Sequence, residues 1–283
     1  MARHEYRLWE TAWCPGCGNF SILDTLKKVL EELEYDPHDV LLMGGIGQAP
    51  KLPQYLEGNH FCGLHGRALP PAVAAKMVNP KLKIILNTGD GDSYGEGGNH
   101  FIHNVRRNVD ITHFAHDNRL YALTKGQPSP TTSVGMTTEV QPDGSYNTPF
   151  NPLLTALSCG AGFVARGFSG KPDHLAMLMK RAIEYPGYAL VDIFQNCVTF
   201  NKLHTYAWFN AHTYELDDTH DTGDLQAAMR LAMMDDERLP IGVLYEKRMP
   251  TYHDKNTSLS EGQVIAGSRT DPAIVQGLMR KLV

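Results

Sequence analysis

Short apolar runs alternate with helix-like stretches along this chain, and that rhythm is the strongest constraint on its fold. The runs lie at 39–43, 82–87, 111–116, 188–194 and 241–245. Helical stretches occupy 68–78, 99–107, 151–159, 174–184 and 225–234. A first helix is expected over 19–33, where Ile22, Leu26, Val29, Leu30 and Leu33 recur three and four residues apart. Alternation of this kind builds βαβ units, so the expectation is an α/β fold, a mainly parallel sheet with helices on both faces. Gly44-Gly45-Ile46-Gly47 and Gly89-Asp90-Gly91 each follow an apolar run and should therefore sit at carboxyl ends of strands, where open α/β sheets bind ligands. The turn-rich stretch 126–147 is too long for an ordinary connection and reads as a functional loop. At 283 residues the chain is long enough for a single large domain, expected as a core over about 11–200 with a C-terminal extension over about 201–283.

Charge and hydropathy remove whole classes of function. There are 26 basic and 31 acidic residues, a net charge of −5, with the signs interspersed rather than blocked, which argues against a sequence-general nucleic-acid binder. No apolar run approaches the ~18–20 residues needed to cross a bilayer, and Met1-Ala2-Arg3-His4 leads into no signal-peptide core. The expectation is a cytoplasmic protein without membrane contact. Five cysteines, an odd count that includes Cys14-Pro15-Gly16-Cys17, then point to metal or redox chemistry rather than disulfide staples.

The chemistry-bearing constellation is Gly89-Asp90-Gly91-Asp92 after one strand and Asp117-Asn118-Arg119-Leu120 after the next, with Asp90 and Asn118 28 residues apart. A carboxylate and an amide oxygen at the ends of adjacent strands can grip one hard cation and leave octahedral positions for phosphate oxygens. Mg2+ bridging a diphosphate is the natural reading, and a pair of tight turns with polar caps is the bland one. Glycines flanking Asp90 let backbone N–H groups approach phosphates closely.

This arrangement resembles the thiamine diphosphate motif. Together with Cys14-Pro15-Gly16-Cys17-Gly18, Leu64-His65-Gly66-Arg67-Ala68-Leu69-Pro70, Leu123-Thr124-Lys125-Gly126-Gln127, Ser129-Pro130-Thr131-Thr132 and Asn196-Cys197-Val198-Thr199-Phe200, it resembles the β subunit of 2-oxoacid:ferredoxin oxidoreductases. The motifs occur in the family's order over 13–200, and 240–252 resembles its C-terminal strand. The resemblance implies a thiamine diphosphate-binding fold. It implies Mg2+ held by Asp90, Asn118 and the Leu120 carbonyl, and a diphosphate contacted by Gly91, Asp92 and Thr124. Gly47, His65, Gly66 and Gly89 would wall the cofactor. An α subunit, coenzyme A and ferredoxin are the implied partners, electrons leaving singly through an iron–sulfur cluster.

Cys-x-x-Cys alone stays open among a thioredoxin-type dithiol, half a zinc site and two cluster ligands. The resemblance favours a four-iron four-sulfur cluster on Cys14, Cys17, Cys197 and a cysteine after the Gly-Ile-Gly turn. Here Gln48 stands at that last position, and Cys62 is the candidate replacement, with a three-iron cluster, a non-cysteine ligand or a weakly held cluster as the other readings. Cys159, on an apolar helical face, reads as packing.

For the substrate, Lys51 and Lys125 are expected to face the reaction cavity, where an ammonium would favour a dicarboxylic 2-oxoacid. Leu123-Thr124-Lys125-Gly126-Gln127 resembles the 2-oxoglutarate-acting branch, which makes Leu123 a substrate contact as well. His65 is expected to meet a substrate carboxylate or assist proton transfer. The rivals are a pyruvate-type or broad-specificity enzyme, a cluster-free thiamine diphosphate decarboxylase component, and a zinc- or disulfide-type binding module.

Overall fold

The computed structural model describes residues 5–234, 237–256, 264–265 and 271–281. Among them eight strands form one sheet in the order β2-β1-β3-β4-β6-β5-β8-β7. They are β1 (Val40–Gly44), β2 (Asn59–Cys62), β3 (Lys83–Gly89), β4 (Ile111–Asp117), β5 (Phe163–Phe168), β6 (Tyr188–Phe194), β7 (Thr213–Glu215) and β8 (Leu239–Glu246). Strands β1 to β6 pair in parallel throughout, whereas β8 runs antiparallel to β5 and carries β7 parallel at the far edge.

Two-residue periodicity in the central strands divides the core into two layers. Leu42, Ile85, Phe114, Ala165 and Val191 face one side, where α1 (Asn19–Glu32) and α5 (Pro172–Glu184) cover them. Met43, Ile84, Leu86, Ala115, Val164 and Leu190 face the other, beneath α2 (Leu69–Val78), α3 (Gly98–Arg107), α4 (Pro152–Ser158) and α7 (Leu225–Ala232). Helices on both faces match the sequence expectation. Each large aliphatic side chain fully buried in these layers contributes about 1.5–3 kcal/mol.

Three strands escape apolar-run reading, each for a physical reason. β2 is a four-residue edge strand whose residues are all exposed. β7 has three residues. β5 is fully buried but reads Phe-Val-Ala-Arg-Gly-Phe, and its Arg166 is accommodated by the buried Asp192 of β6, Nε to Oδ2 at 3.6 Å, and by the face of Phe194 at 4.9 Å. The segment expected as an extension beyond 200 supplies β7 and β8 to the sheet, together with α6 (Tyr206–His212), α8 (Tyr252–Lys255) and α9 (Pro272–Lys281). Its residues 235–236, 257–263, 266–270 and 282–283, like the N-terminal 1–4, lie outside the described residues.

From β1 the chain goes to β2 on one side and then to β3 on the other, so β1 and β3 flank a topological switch point. Ligand clefts of open α/β sheets form there.

Candidate functional site

At the carboxyl ends of β1, β3 and β4 the following loops wall a cleft with about 460 Å³ of empty space. It is lined by Ile46, Gly47, Gln48 and Ala49 after β1, His65 after β2, Gly89, Asp90, Gly91 and Asp92 after β3, and 118 and 120–124 after β4. Thus Gly47, His65, Gly89, Asp90, Gly91, Asp92, Asn118, Leu120, Leu123 and Thr124 all come together, and Gly66 follows directly on His65.

Asp90 directly follows β3 and is buried at 2% exposure. Its Oδ2 accepts from Ser129 Oγ at 2.5 Å and Thr131 Oγ1 at 2.7 Å, and Thr131 Oγ1 also lies 2.8 Å from Asp117 Oδ1. One hydroxyl proton cannot serve two carboxylates at once. Burial, with the Asp117 charge added, holds the Asp90 carboxyl well above the ordinary carboxylate range. A divalent cation relieves that repulsion. Asn118 Oδ1, which accepts from Leu120 N at 3.1 Å, is a second oxygen donor on the same cleft. Asp90 and Asn118 thus offer a carboxylate and a carboxamide oxygen on one cleft, a pair that suits a hard cation.

Asp92 is directed elsewhere. Its Oδ1 accepts from Gly66 N at 2.7 Å and Ile46 N at 3.1 Å and lies 2.8 Å from His65 Nδ1, so one carboxylate ties three loops together. The hydrogen bond to Asp92 raises the His65 pKa, and His65 Nε2 lies 3.3 Å from Glu96 Oε2. Thr124 is exposed at the mouth and donates to Gln127 Oε1 at 2.5 Å.

Neither lysine lines the cleft. Lys51 is half-buried in a short 3₁₀ stretch, Ala49–Gln54, and Lys125 is exposed beside Thr124 with φ +76. The turn imposes that left-handed conformation, since Gly126 N donates to Tyr121 O at 2.8 Å and Lys125 N to Ala122 O at 3.3 Å.

A second pocket, with about 350 Å³ of empty space, adjoins the first through Gln48, Asn118 and Ala122, which line both. Cys14, Cys17 and Cys197 line it. Two loops bring them together: Asn196 Nδ2 donates to Gly16 O at 3.0 Å, Gly18 N to Asn196 O at 3.2 Å, and Thr199 Oγ1 to Cys14 Sγ at 3.2 Å. Burial pushes the Cys17 thiol up to about 11, and the neighbouring Cys197 and Cys14 thiols add to the rise. Cys62 is not brought to this pocket. It ends the edge strand β2, and its Sγ donates to Gly45 O at 3.0 Å. Cys159 caps α4 and packs on the α2/α3/α4/α7 layer. Among the described residues no group of three His, Cys, Asp or Glu side chains is arranged to hold a single metal ion, these three thiols included.

Sequence reasoning missed the partners of Asp90. Ser129 and Thr131 come from the turn-rich stretch 126–147, whose length was the available signal, and Asp117 is adjacent to Asn118. It also missed the buried Tyr94–Asp192 contact behind the cleft, 2.8 Å from Oη to Oδ1.

Residues 45–193 match the family model described as thiamine pyrophosphate enzyme, C-terminal TPP binding domain, and residues 197–261 match the model of the C terminal of the pyruvate ferredoxin oxidoreductase beta subunit. The chain is 39% identical over 258 residues to a 2-oxoacid:ferredoxin oxidoreductase subunit beta of Saccharolobus solfataricus, covering 86% of this chain and 84% of that one. It is 42% identical over 192 residues to the 2-oxoglutarate oxidoreductase subunit KorB of Mycobacterium tuberculosis, covering 68% and 52%. Its fold matches, at TM-score 0.88 and 38% identity over 95% of this chain and 92% of the other, a 2-oxoglutarate:ferredoxin oxidoreductase from Magnetococcus marinus solved with 2-oxoglutarate, coenzyme A and succinyl-CoA bound.

Proposed function

The chain belongs to the β subunits of 2-oxoacid:ferredoxin oxidoreductases, and we propose that with its α partner it converts 2-oxoglutarate and coenzyme A to succinyl-CoA and CO2, or runs the reverse reductive carboxylation. The observation that carries the choice of substrate is the fold-wide likeness, at TM-score 0.88, to an enzyme solved with 2-oxoglutarate and succinyl-CoA bound.

In this reading Asp90, Asn118 and the Leu120 carbonyl hold Mg2+. Gly91, Asp92 and Thr124 receive the diphosphate, and Gly47, His65, Gly66 and Gly89 complete the wall. The Asp92 carboxylate takes two amides and His65 on Oδ1 and, being an anion, repels a diphosphate, so its main-chain N–H is the group that can meet one. Bound thiamine diphosphate supplies a carbon nucleophile and an electron sink. His65 donates from Nδ1 to Asp92, which leaves Nε2, 3.3 Å from Glu96 Oε2, as the nitrogen that takes up a proton and, once protonated, can donate to a substrate carboxylate in place of Glu96. Leu123 provides an apolar contact at the same mouth, and Lys125 reaches the distal carboxylate from the rim.

Cys14, Cys17 and Cys197 would hold an iron–sulfur cluster, which would supply a one-electron carrier between the cleft and ferredoxin. The mouth carries exposed Ile46, Leu64 and Leu123, with Leu64 76% exposed, and an α subunit seated there excludes water from the reaction. No helix among the described residues is long and apolar enough to cross a membrane, and we place the αβ pair in the cytoplasm.

The test is coenzyme A-dependent ferredoxin reduction by the purified α–β complex with 2-oxoglutarate, pyruvate and 2-oxobutyrate. 2-Oxoglutarate is expected to give the highest kcat/KM, and the β chain alone is expected to give no turnover. A kcat/KM for pyruvate equal to or above that for 2-oxoglutarate overturns the substrate assignment.

A further inference from the structure

Among the described residues, the pocket lined by Cys14, Cys17 and Cys197 contains no fourth thiol. The two remaining cysteines are accounted for: Cys62 is turned to the Gly45 carbonyl on the edge strand, and Cys159 packs on the layer formed by α2, α3, α4 and α7. What lines the pocket in place of a fourth thiol is Gln48. Its main-chain carbonyl accepts from Trp13 Nε1 at 2.8 Å, which pins residue 48 beside the loop that carries Cys14 and Cys17. Its side-chain Oε1 is buried and has no hydrogen-bond partner. A buried carboxamide oxygen left unpaired is costly and calls for a ligand.

Resting on the cluster reading above, we propose that this chain holds its cluster through three thiolates only, Cys14, Cys17 and Cys197, and that the fourth iron faces the Gln48 carboxamide. A neutral hard oxygen is a far poorer partner for iron in a sulfide cluster than a soft anionic thiolate. The corner iron is therefore the weakly held one. On treatment with ferricyanide the four-iron cluster gives up one electron to the oxidant and releases one Fe(II), leaving three ferric irons and all four sulfides. A cluster with three thiolates also carries one negative charge fewer than one with four, which raises its reduction potential.

The experiment uses the α–β complex, with iron and sulfide analysis and EPR as readouts besides activity. In the native complex, mild ferricyanide is expected to remove one iron per cluster and produce a three-iron EPR signal, which Fe(II) plus dithiothreitol reverses. Gln48→Cys is expected to retain all four irons under the same oxidant and to lower the potential. Cys62→Ala is expected to leave iron content and the oxidative conversion unchanged. Full iron retention by the oxidised native complex overturns the proposal while leaving the cluster reading intact, as does loss of iron in Cys62→Ala. A native complex without iron or sulfide overturns the cluster reading itself and the proposal with it.

Discussion

Asp90 meets the largest electrostatic demand in the cleft, being a buried carboxyl beside a second one, Asp117, with a threonine hydroxyl shared between them. Asp90→Ala removes the anionic metal ligand and takes the carboxylate acceptor from Ser129, while Thr131 keeps Asp117. Its expected effect on thiamine diphosphate retention exceeds the roughly 10–100-fold loss typical of changes in a metal's outer shell. Calorimetric titration with Mg2+ and thiamine diphosphate checks this, and unaltered affinity refutes the ligand assignment. Lys125 poses a different question, because it stands at the rim. A contact between its ammonium and a distal carboxylate, worth about 1.5–3 kcal/mol net, makes Lys125→Ala depress kcat/KM for 2-oxoglutarate roughly ten- to a hundredfold, with 2-oxobutyrate nearly unaffected. Equal losses on both substrates assign the lysine to the fold or the cofactor.

Among the elements, the cleft depends on two turns that interlock without a strand between them. The turn before α2 places Gly66 at φ +70, and the π-helical turn Gly91–Glu96 begins at Asp90. Arg67 Nη1 donates to Glu96 O at 2.8 Å and Gly66 N to Asp92 Oδ1 at 2.7 Å, so the turns are held at main-chain distance. A Cβ at residue 66 would fall 2.3 Å from the Glu96 carbonyl carbon, a backbone atom that cannot step aside. Gly66→Ala therefore adds a left-handed penalty of about 1–2 kcal/mol to an overpacking cost of about 1–3 kcal/mol. Thermal unfolding should show a clear fall in Tm together with loss of cofactor retention; an unchanged Tm would mean that the turns have slack.

Across the molecule, the C-terminal third is part of the sheet. β8 pairs with β5 and places Ile241, Val243 and Leu244 in the core. A chain truncated after Arg238 loses those contacts and bares the edge of β5, and it is expected to be insoluble or to lack a cooperative unfolding transition. Recovery of a soluble, cooperatively unfolding fragment would make the last strand dispensable. Stability should also depend on pH through His113, which is fully buried between Tyr188, at 2.6 Å from Nδ1, and Thr88, at 2.8 Å from Nε2. Burial pushes its pKa down to about 3 from an ordinary 6.5, so below pH 6.5 the unfolded chain takes up a proton that the folded chain refuses. That contribution destabilises the fold by about 1.4 kcal/mol per pH unit as pH falls from 6.5 toward 3. Asp192 opposes it: held up at about 7 by burial, it keeps a proton in the folded state, and its contribution is lost as pH rises through that value. His113→Gln removes only the first effect. The stability gap between wild type and variant should therefore narrow as pH falls from 7 to 4, and a gap constant with pH would show that His113 does not titrate this way.

The parallel α/β plan and the points where chemistry gathers are legible in the order of residues. Periodicity of two and of 3.6, with glycines after apolar runs, is local information, and local backbone preference is enough to place Gly47, Asp90 and Asn118 at strand ends. The absence of a cysteine at Gln48 is equally plain, since a missing thiol is visible without coordinates. Who meets whom is a matter of packing in three dimensions. That Cys62 turns to Gly45 while Cys197 joins Cys14 and Cys17 depends on how the edge strand and two distant loops pack. The Asp92 carboxylate serves loop amides and His65, and Ser129 and Thr131 are the partners of Asp90, because hydrogen bonds across 26 to 46 residues answer to burial rather than to local pattern. β5 stayed hidden for the same reason: Arg166 breaks its apolar run, and the buried Asp192 side chain and the Phe194 ring on the neighbouring strand accommodate that arginine in the core.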